Sequence, residues 1–233
     1  MRKSSWLLTV IGSAFVVTVA AKPITAPTKF VSVEKALKDG AIHLDIHGNG
    51  GYSGNCLSMA IANALNDSGY YWLEAGRRLH SNDSNTQDIL VTKDVFIPLT
   101  AKEEKHFFLF GFCCQKHKHA PGVKSTYTVG SMTSYRLLAL AQYLNNAGSQ
   151  HATFKVGVIQ QAVWVISDTI PISNITAFTS DTSNAAILQQ EVAKINTMYQ
   201  PVKHRRKHRR KEATDNTEYV EYKRNHTVCQ YTY

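Results

Sequence analysis

The sequence predicts an α+β fold: an antiparallel β-sandwich, Ig-like in general architecture, followed by two or three helices packed on one sheet. Three observations carry this. Between about residues 28 and 116, short apolar runs alternate with polar residues and are separated by Gly, Asn and Asp clusters. Beyond about residue 130 the apolar spacing changes to steps of three and four. A 43% hydrophobic composition over 233 residues is enough for a sizeable core and excludes a disordered or collagen-like chain. Strands first and helices afterwards separate this pattern from a doubly wound sheet.

The elements follow in order. Ala41–His47 sets Ile42, Leu44 and Ile46 against His43, Asp45 and His47, as a half-buried strand should, and GNGG at 48–51 is a turn. Ser53–Leu65 is a long strand ended by Asn66-Asp67-Ser68-Gly69, and Tyr70–Ala75 returns. Arg77–Gln87 reads as a polar loop. Asp88–Leu99 reads as one strand with Ile89, Val91, Val95 and Ile97 on one face. After a turn at Ala101–Lys105, His106–Cys114 is apolar on both faces, as a central covered strand is. Ser131–Asn146, Thr153–Asp168 and Asp181–Met198 then place apolar residues on single helical stripes, the last through Ala185, Leu188, Val192 and Ile195.

Packing follows from strand alternation. Leu57, Met59 and Ile61 share a face suited to the sandwich core. The smaller Cys56, Ser58, Ala60 and Ala62 share the other, where a helix could approach. With Phe108, Phe110 and Phe112 turned to the sandwich core, Leu109, Gly111 and Cys113 face the helices. Cys56 and Cys113 then lie on one side of the sheet, a candidate disulfide if their strands are neighbours. Cys56, Cys113, Cys114 and Cys229 allow three pairings in all, and sequence does not choose among them.

The formal charge of +9 is concentrated at the ends. Arg2-Lys3 precedes an apolar stretch from Trp6 to Ala20, followed by small residues and Lys22-Pro23. That is the layout of a secretory signal, expected over 1–21, and the apolar stretch is short for a membrane span. Residues 22–199 form one nearly neutral domain, a sandwich plus helices. Residues 200–233 form a basic tail in which Lys203, Arg205, Arg206, Lys207, Arg209, Arg210 and Lys211 fall within nine positions. Such a run can hold polyanions by counterion release, and no aromatic residue interleaves it for base stacking. The expected setting is extracytoplasmic (periplasm, cell surface or medium), with no spanning helix once the signal is removed.

Two constellations could carry chemistry. Cys114, His117 and His119 offer thiolate and imidazole donors for zinc or copper, although neighbouring Cys113 and Cys114 point to opposite strand faces. The second comprises Cys56-Leu57 and Gln160-Gln161-Ala162-Val163-Trp164. These segments resemble the Cys and Gln-x-Ala-(Ile/Val)-Trp motifs of the thioester domains of bacterial surface adhesins, which implies a Cys56–Gln160 thioester able to acylate an amine. The Thr that usually precedes that Gln is Ile159 here. Over about 40–170, Gly54-Asn55-Cys56-Leu57, Phe112-Cys113-Cys114-Gln115 and Gln160–Trp164 together resemble a group of uncharacterised exported bacterial proteins, a resemblance that implies no activity.

No Gly-x-Ser-x-Gly elbow, His-Glu-x-x-His or phosphate-binding Gly-rich loop occurs, so the sequence points away from an enzyme. The expectation is an exported, non-catalytic binding or surface-interaction protein of undetermined extracellular or envelope ligand, without a required cofactor. The covalent adhesin and the zinc- or copper-binding protein are its alternatives.

Overall fold

The computed structural model describes residues 29–146, 154–176 and 182–199. The chain divides into two units, Met1–Gln200 and Pro201–Tyr233, and the described residues all fall in the first. The expected signal at 1–21 and the basic tail lie outside the described residues.

In chain order the elements are β1 (Val31–Ser32), α1 (Val33–Lys38), β2 (Ile42–Gly48), β3 (Ser53–Asn63), β4 (Gly69–Leu73), β5 (Arg77–Ser81), β6 (Ile89–Val91), β7 (Val95–Leu99), β8 (Glu104–Cys113) and β9 (Tyr127–Met132). Then come α2 (Tyr135–Asn146), α3 (Val156–Ser167), a single 3-10 turn at Ile172–Asn174 and α4 (Thr182–Met198). The architecture is therefore α+β, with strands first and helices last. Six strands form one antiparallel sheet in the order β2-β3-β8-β6-β5-β9, and three form a second, β1-β4-β7, with β1 parallel to β4. The larger sheet curls until its two edges meet at an isolated bridge between His47 and Thr126. It is nearer a barrel than a flat Ig-like pair of sheets.

Two cores result. One lies between the sheets and contains Ile42, Ile46, Leu57, Met59, Ile61, Leu73, Ile97 and Leu99. The other lies between the helices and the far end of the large sheet, where Leu90, Phe112 and Cys114 meet Val158, Val163, Leu188 and Val192. The predicted stripe of α4 is buried as a unit: Ala185, Leu188, Val192 and Ile195 are each at most 4% exposed.

The structure corrects several expectations. In β8 the two faces are exchanged: Phe110 and Phe112 lie toward the helices, while Leu109 and Cys113 enter the inter-sheet core. The reason is space. A Cβ at Gly111, on the same face as Leu109 and Cys113, would stand 2.4 Å from Ile89 Cγ2, so neighbouring β6 packs close there and the large rings fill the volume beneath the helices. Cys56 has also changed face. Register shifts between Gly54 and Leu57, and Gly54 takes φ +79°, so Cys56 and Leu57 are both buried in the inter-sheet core. Two reversals thus leave Cys56 and Cys113 on a common side, the opposite one from that expected.

Arg77–Ser81 is a strand rather than a loop, because Arg77 is neutralised inside the fold. Its Nε and Nη2 donate to Glu74 at 3.1 and 2.7 Å, Nη1 donates to Glu34 and to Gly130 O, and the side chain is 3% exposed. The predicted strand Asp88–Leu99 breaks at Thr92-Lys93-Asp94 into β6 and β7, which belong to different sheets. Ile89, Val91, Val95 and Ile97 nevertheless share the inter-sheet core, as their alternation requires. The first residues of the predicted helix Ser131–Asn146 belong to β9 and the corner after it.

Candidate functional site

The three motif segments converge at the C-terminal end of β8. Just before β3, Tyr52 O accepts the Cys113 N–H at 3.1 Å. From α3, Gln160 donates Nε2–H to Cys113 O at 2.7 Å and accepts from Cys113 N at 3.0 Å. Gln160 is 3% exposed, so both polar ends of its amide are spent on one backbone residue. Gly54 lies beneath the start of α3, 3.8 Å from Val156 Cγ1 at its hypothetical Cβ.

A second buried glutamine completes this junction. Gln87, fully buried, accepts from Gln115 N at 3.1 Å and from Trp164 Nε1 at 3.2 Å, and donates Nε2–H to Lys118 O at 3.0 Å. Gln115 answers by accepting from Asp88 N at 2.8 Å. Tyr127 donates its hydroxyl to Gln87 O at 3.2 Å. Trp164 packs against the inter-sheet core, with Tyr52 edge-on at 6.0 Å and Lys116 Nζ 5.8 Å from its ring centre. Buried amides and an indole N–H cost free energy unless paired, and here these are paired. The junction is a locked seam between helix and sheet.

Its thiols are correspondingly quiet. Cys56, Cys113 and Cys114 are free and at most 1% exposed. Burial pushes Cys56 up to about 11, with the Cys56 and Gly111 backbone groups opposing weakly, and Cys114 up to about 12. It raises Cys113 as well. At neutral pH these groups are protonated and poor nucleophiles. Cys113 stands level with Tyr52, whereas the Cys56 thiol contacts Gly111 O at 3.6 Å. Both thiols lie in the inter-sheet core, near enough for each other's charge to be felt, and both are free.

The proposed metal ligands are also dispersed. Cys114 is buried in the helical core, while the His117 side chain is 74% exposed with Nδ1 3.6 Å from Asp168. His119 is exposed and bridges to Thr86 through the backbone. Among the described residues no three His, Cys, Asp or Glu side chains are gathered to hold a metal ion as they stand. The polyanion-binding candidates Lys203–Lys211 and the fourth cysteine, Cys229, lie outside the described residues.

The most ligand-like surface was not singled out in the sequence. On the small sheet, Tyr71, Leu73, Ile97 and Leu99 point inward, so alternation turns Tyr70, Trp72, Phe96 and Pro98 outward. Trp72 pairs in register with Phe96, their rings 16° from parallel and 6.1 Å apart. Phe30 joins at 4.9 Å from Phe96 and 6.0 Å from Tyr70. Phe96 is 55% exposed, and Trp72 Nε1 finds no acceptor among the described residues. The available signal was aromatic character on the second face of both strands, which a single-sided sheet does not need.

Comparison of the chain with protein-family models, with curated proteins and with solved structures gave no match.

Proposed function

We propose that the protein is an exported, non-catalytic binding module whose ligand is an anionic polysaccharide. The observation that carries this reading is the aromatic face of Phe30, Tyr70, Trp72 and Phe96. Exposed apolar patches of this kind mark interaction sites. Aromatic rings offer a flat, electron-rich face against which the C–H side of a sugar ring packs, while the polar ring edges meet hydroxyl groups. Charge supplies the other half: seven cations lie within residues 203–211, in a chain of net charge +9. They attract an anionic polymer through counterion release. A non-catalytic role is supported by the protonated thiols and the fully engaged Gln160.

Affinity electrophoresis through gels containing heparin, alginate or neutral dextran tests this. The full mature chain should be retarded by both anionic polymers. At ~0.5 M salt, where the Debye length is only about 4 Å, the residual retardation should fall several-fold in Phe96→Ser and in Trp72→Leu. Unchanged retardation in both variants at that salt, with native circular dichroism, would remove the aromatic face as the binding site.

A further inference from the structure

Three asparagines of the fold have their carboxamides firmly held. Asn63 is buried, donates to Asp67 O and Thr100 O at 2.8 Å each, and accepts from Leu65 N and the Tyr71 hydroxyl at 3.1 Å each. Asn82 donates to Thr126 Oγ1 at 2.8 Å. Asn145 donates to Asp94 Oδ2 at 2.7 Å and accepts the Asp94 N–H at 2.9 Å. Asn49, in the turn between β2 and β3, is held differently. Its side chain is exposed, and the bond its amide makes among the described residues, to Asn55 O, is 3.3 Å long. It is also followed by Gly50, in the single Asn-Gly pair of the sequence. Gly50 has φ +89°, and a Cβ built there would meet nothing within 4 Å. The backbone nitrogen next to the Asn49 carboxamide is thus shielded by no side chain of its own and stands beside open space.

We propose that Asn49 is a modification site, at which the folded chain deamidates in water and rearranges to isoaspartate. Asparagine is among the chemically labile side chains, and a following glycine removes the steric barrier to attack by the next backbone nitrogen. The Gly50 nitrogen gives its proton to solvent base and attacks Asn49 Cγ. The N–Cγ bond forms, the Cγ–Nδ2 bond breaks, and Nδ2 takes a proton from water and leaves as ammonia, closing a cyclic imide. Water then opens the ring. Addition at Cγ breaks the new bond and gives aspartate. Addition at the Asn49 backbone carbonyl breaks the original peptide bond, so the main chain runs through Cγ as isoaspartate. The net exchange is water for ammonia, with nothing oxidised or reduced. The surrounding contacts permit it. Gly48 N–H is held by Ser125 O and Asn49 N–H by Cys56 O, both at 2.8 Å, so the amino side of the residue is anchored. On its carboxyl side Gly50 and Gly51 both have positive φ, and Tyr52 is 53% exposed. Isoaspartate adds one methylene to the main chain between these anchors and Tyr52 O, which accepts the Cys113 N–H. The rearrangement therefore loosens the helix–sheet seam and adds a negative charge to the turn.

Incubation of the full mature chain in mildly alkaline buffer made with heavy-oxygen water, followed by site-resolved peptide mapping, reads this directly. Freshly purified protein should carry Asn49 unmodified. Over days, Asn49 should exchange its NH2 for a labelled OH, and the product should accept a methyl group from protein isoaspartate methyltransferase. Asn63, Asn82 and Asn145 should convert many-fold more slowly in the folded chain. Gly50→Ala should slow conversion at Asn49 many-fold. Gly51→Ala, which places the same side chain at an equally left-handed φ of +84°, should leave the rate near that of the wild type. Asn49 intact in the folded chain while the urea-unfolded chain converts, equal rates in Gly50→Ala and Gly51→Ala, or label entering Asn63, Asn82 or Asn145 first, would each overturn the assignment.

Discussion

The carboxamide of Gln160 brackets the backbone of Cys113, giving its Nε2–H to the carbonyl at 2.7 Å and taking the amide N–H at 3.0 Å. A side chain from a helix thereby joins Tyr52 O, at the edge of the neighbouring strand, in satisfying this backbone residue. The junction of β3, β8 and α3 is held by this contact and by Trp164 on Gln87. Residues that look reactive in the sequence are here consumed by architecture.

Gln160→Ala should therefore act on stability. It takes the buried Cys113 carbonyl's donor away while the N–H keeps Tyr52 O, a loss of roughly 1–3 kcal/mol. Urea unfolding should show a lower midpoint with an unchanged slope. Gln160→Glu should be at least as damaging, since a carboxylate cannot donate to Cys113 O.

Alkaline pH should destabilise the protein through its thiols. Burial raises Cys56, Cys113 and Cys114 above the unfolded value of about 8.5. The folded state then holds protons that the unfolded state releases, so stability is constant below about pH 8 and falls as pH rises toward 11. The slope approaches about 1.4 kcal/mol per pH unit for each thiol. Unfolding free energies measured from pH 7 to 10.5 check this, and replacing Cys56 with Ala should flatten the decline by one thiol's share.

Removing the buried guanidinium should cost more than any single surface ion pair. Arg77→Met strands Glu74 and frees Glu34, a loss of about 3–5 kcal/mol. Hydrogen bonds from Lys38 and then Arg77 hold Glu34 below its ordinary value. Its share of the stability is present above the unfolded carboxylate range and is lost as pH falls below about 4.5. In Arg77→Met that acid-side loss should shrink, which thermal melts between pH 3 and 6 would register.

The tail should account for low-salt polyanion binding. Deleting 200–233 removes five units of net positive charge. Heparin retention at ~0.05 M salt, where the Debye length is about 14 Å, should drop several-fold, to the residual binding of the aromatic face. Retention unchanged after deletion would remove the tail from polyanion binding and leave it to the folded body alone.

Much of the architecture was legible because periodicity is local. Ala185, Leu188, Val192 and Ile195 fix the buried stripe of α4 from spacing alone, and alternation puts Leu57, Met59 and Ile61 inside. What escaped depends on partners distant in sequence. Arg77 begins a strand only because Glu34 and Glu74 neutralise it. Cys56 turns inward only because a bulge at Gly54 shifts its register. The exchange of faces in β8 follows from how closely β6 approaches Gly111. At the site, the meeting of Cys56, Cys113 and Gln160 was visible as a pattern. Their pairing was not, because a glutamine that bonds a backbone and one that acylates a thiol have the same sequence.

Tryptic mass mapping of the native chain after iodoacetamide treatment tests the central claim most directly. The peptides carrying Cys56, Cys113, Cys114 and Gln160 should have unmodified masses in native buffer, and all three thiols should be alkylated once urea is present. A native mass short by one ammonia, which methylamine raises by its own mass on opening to a free thiol and an N-methylglutamine, would establish a thioester. A deficit of two hydrogens joining Cys56 to Cys113, or alkylation of either in the folded state, would equally contradict a sealed structural seam.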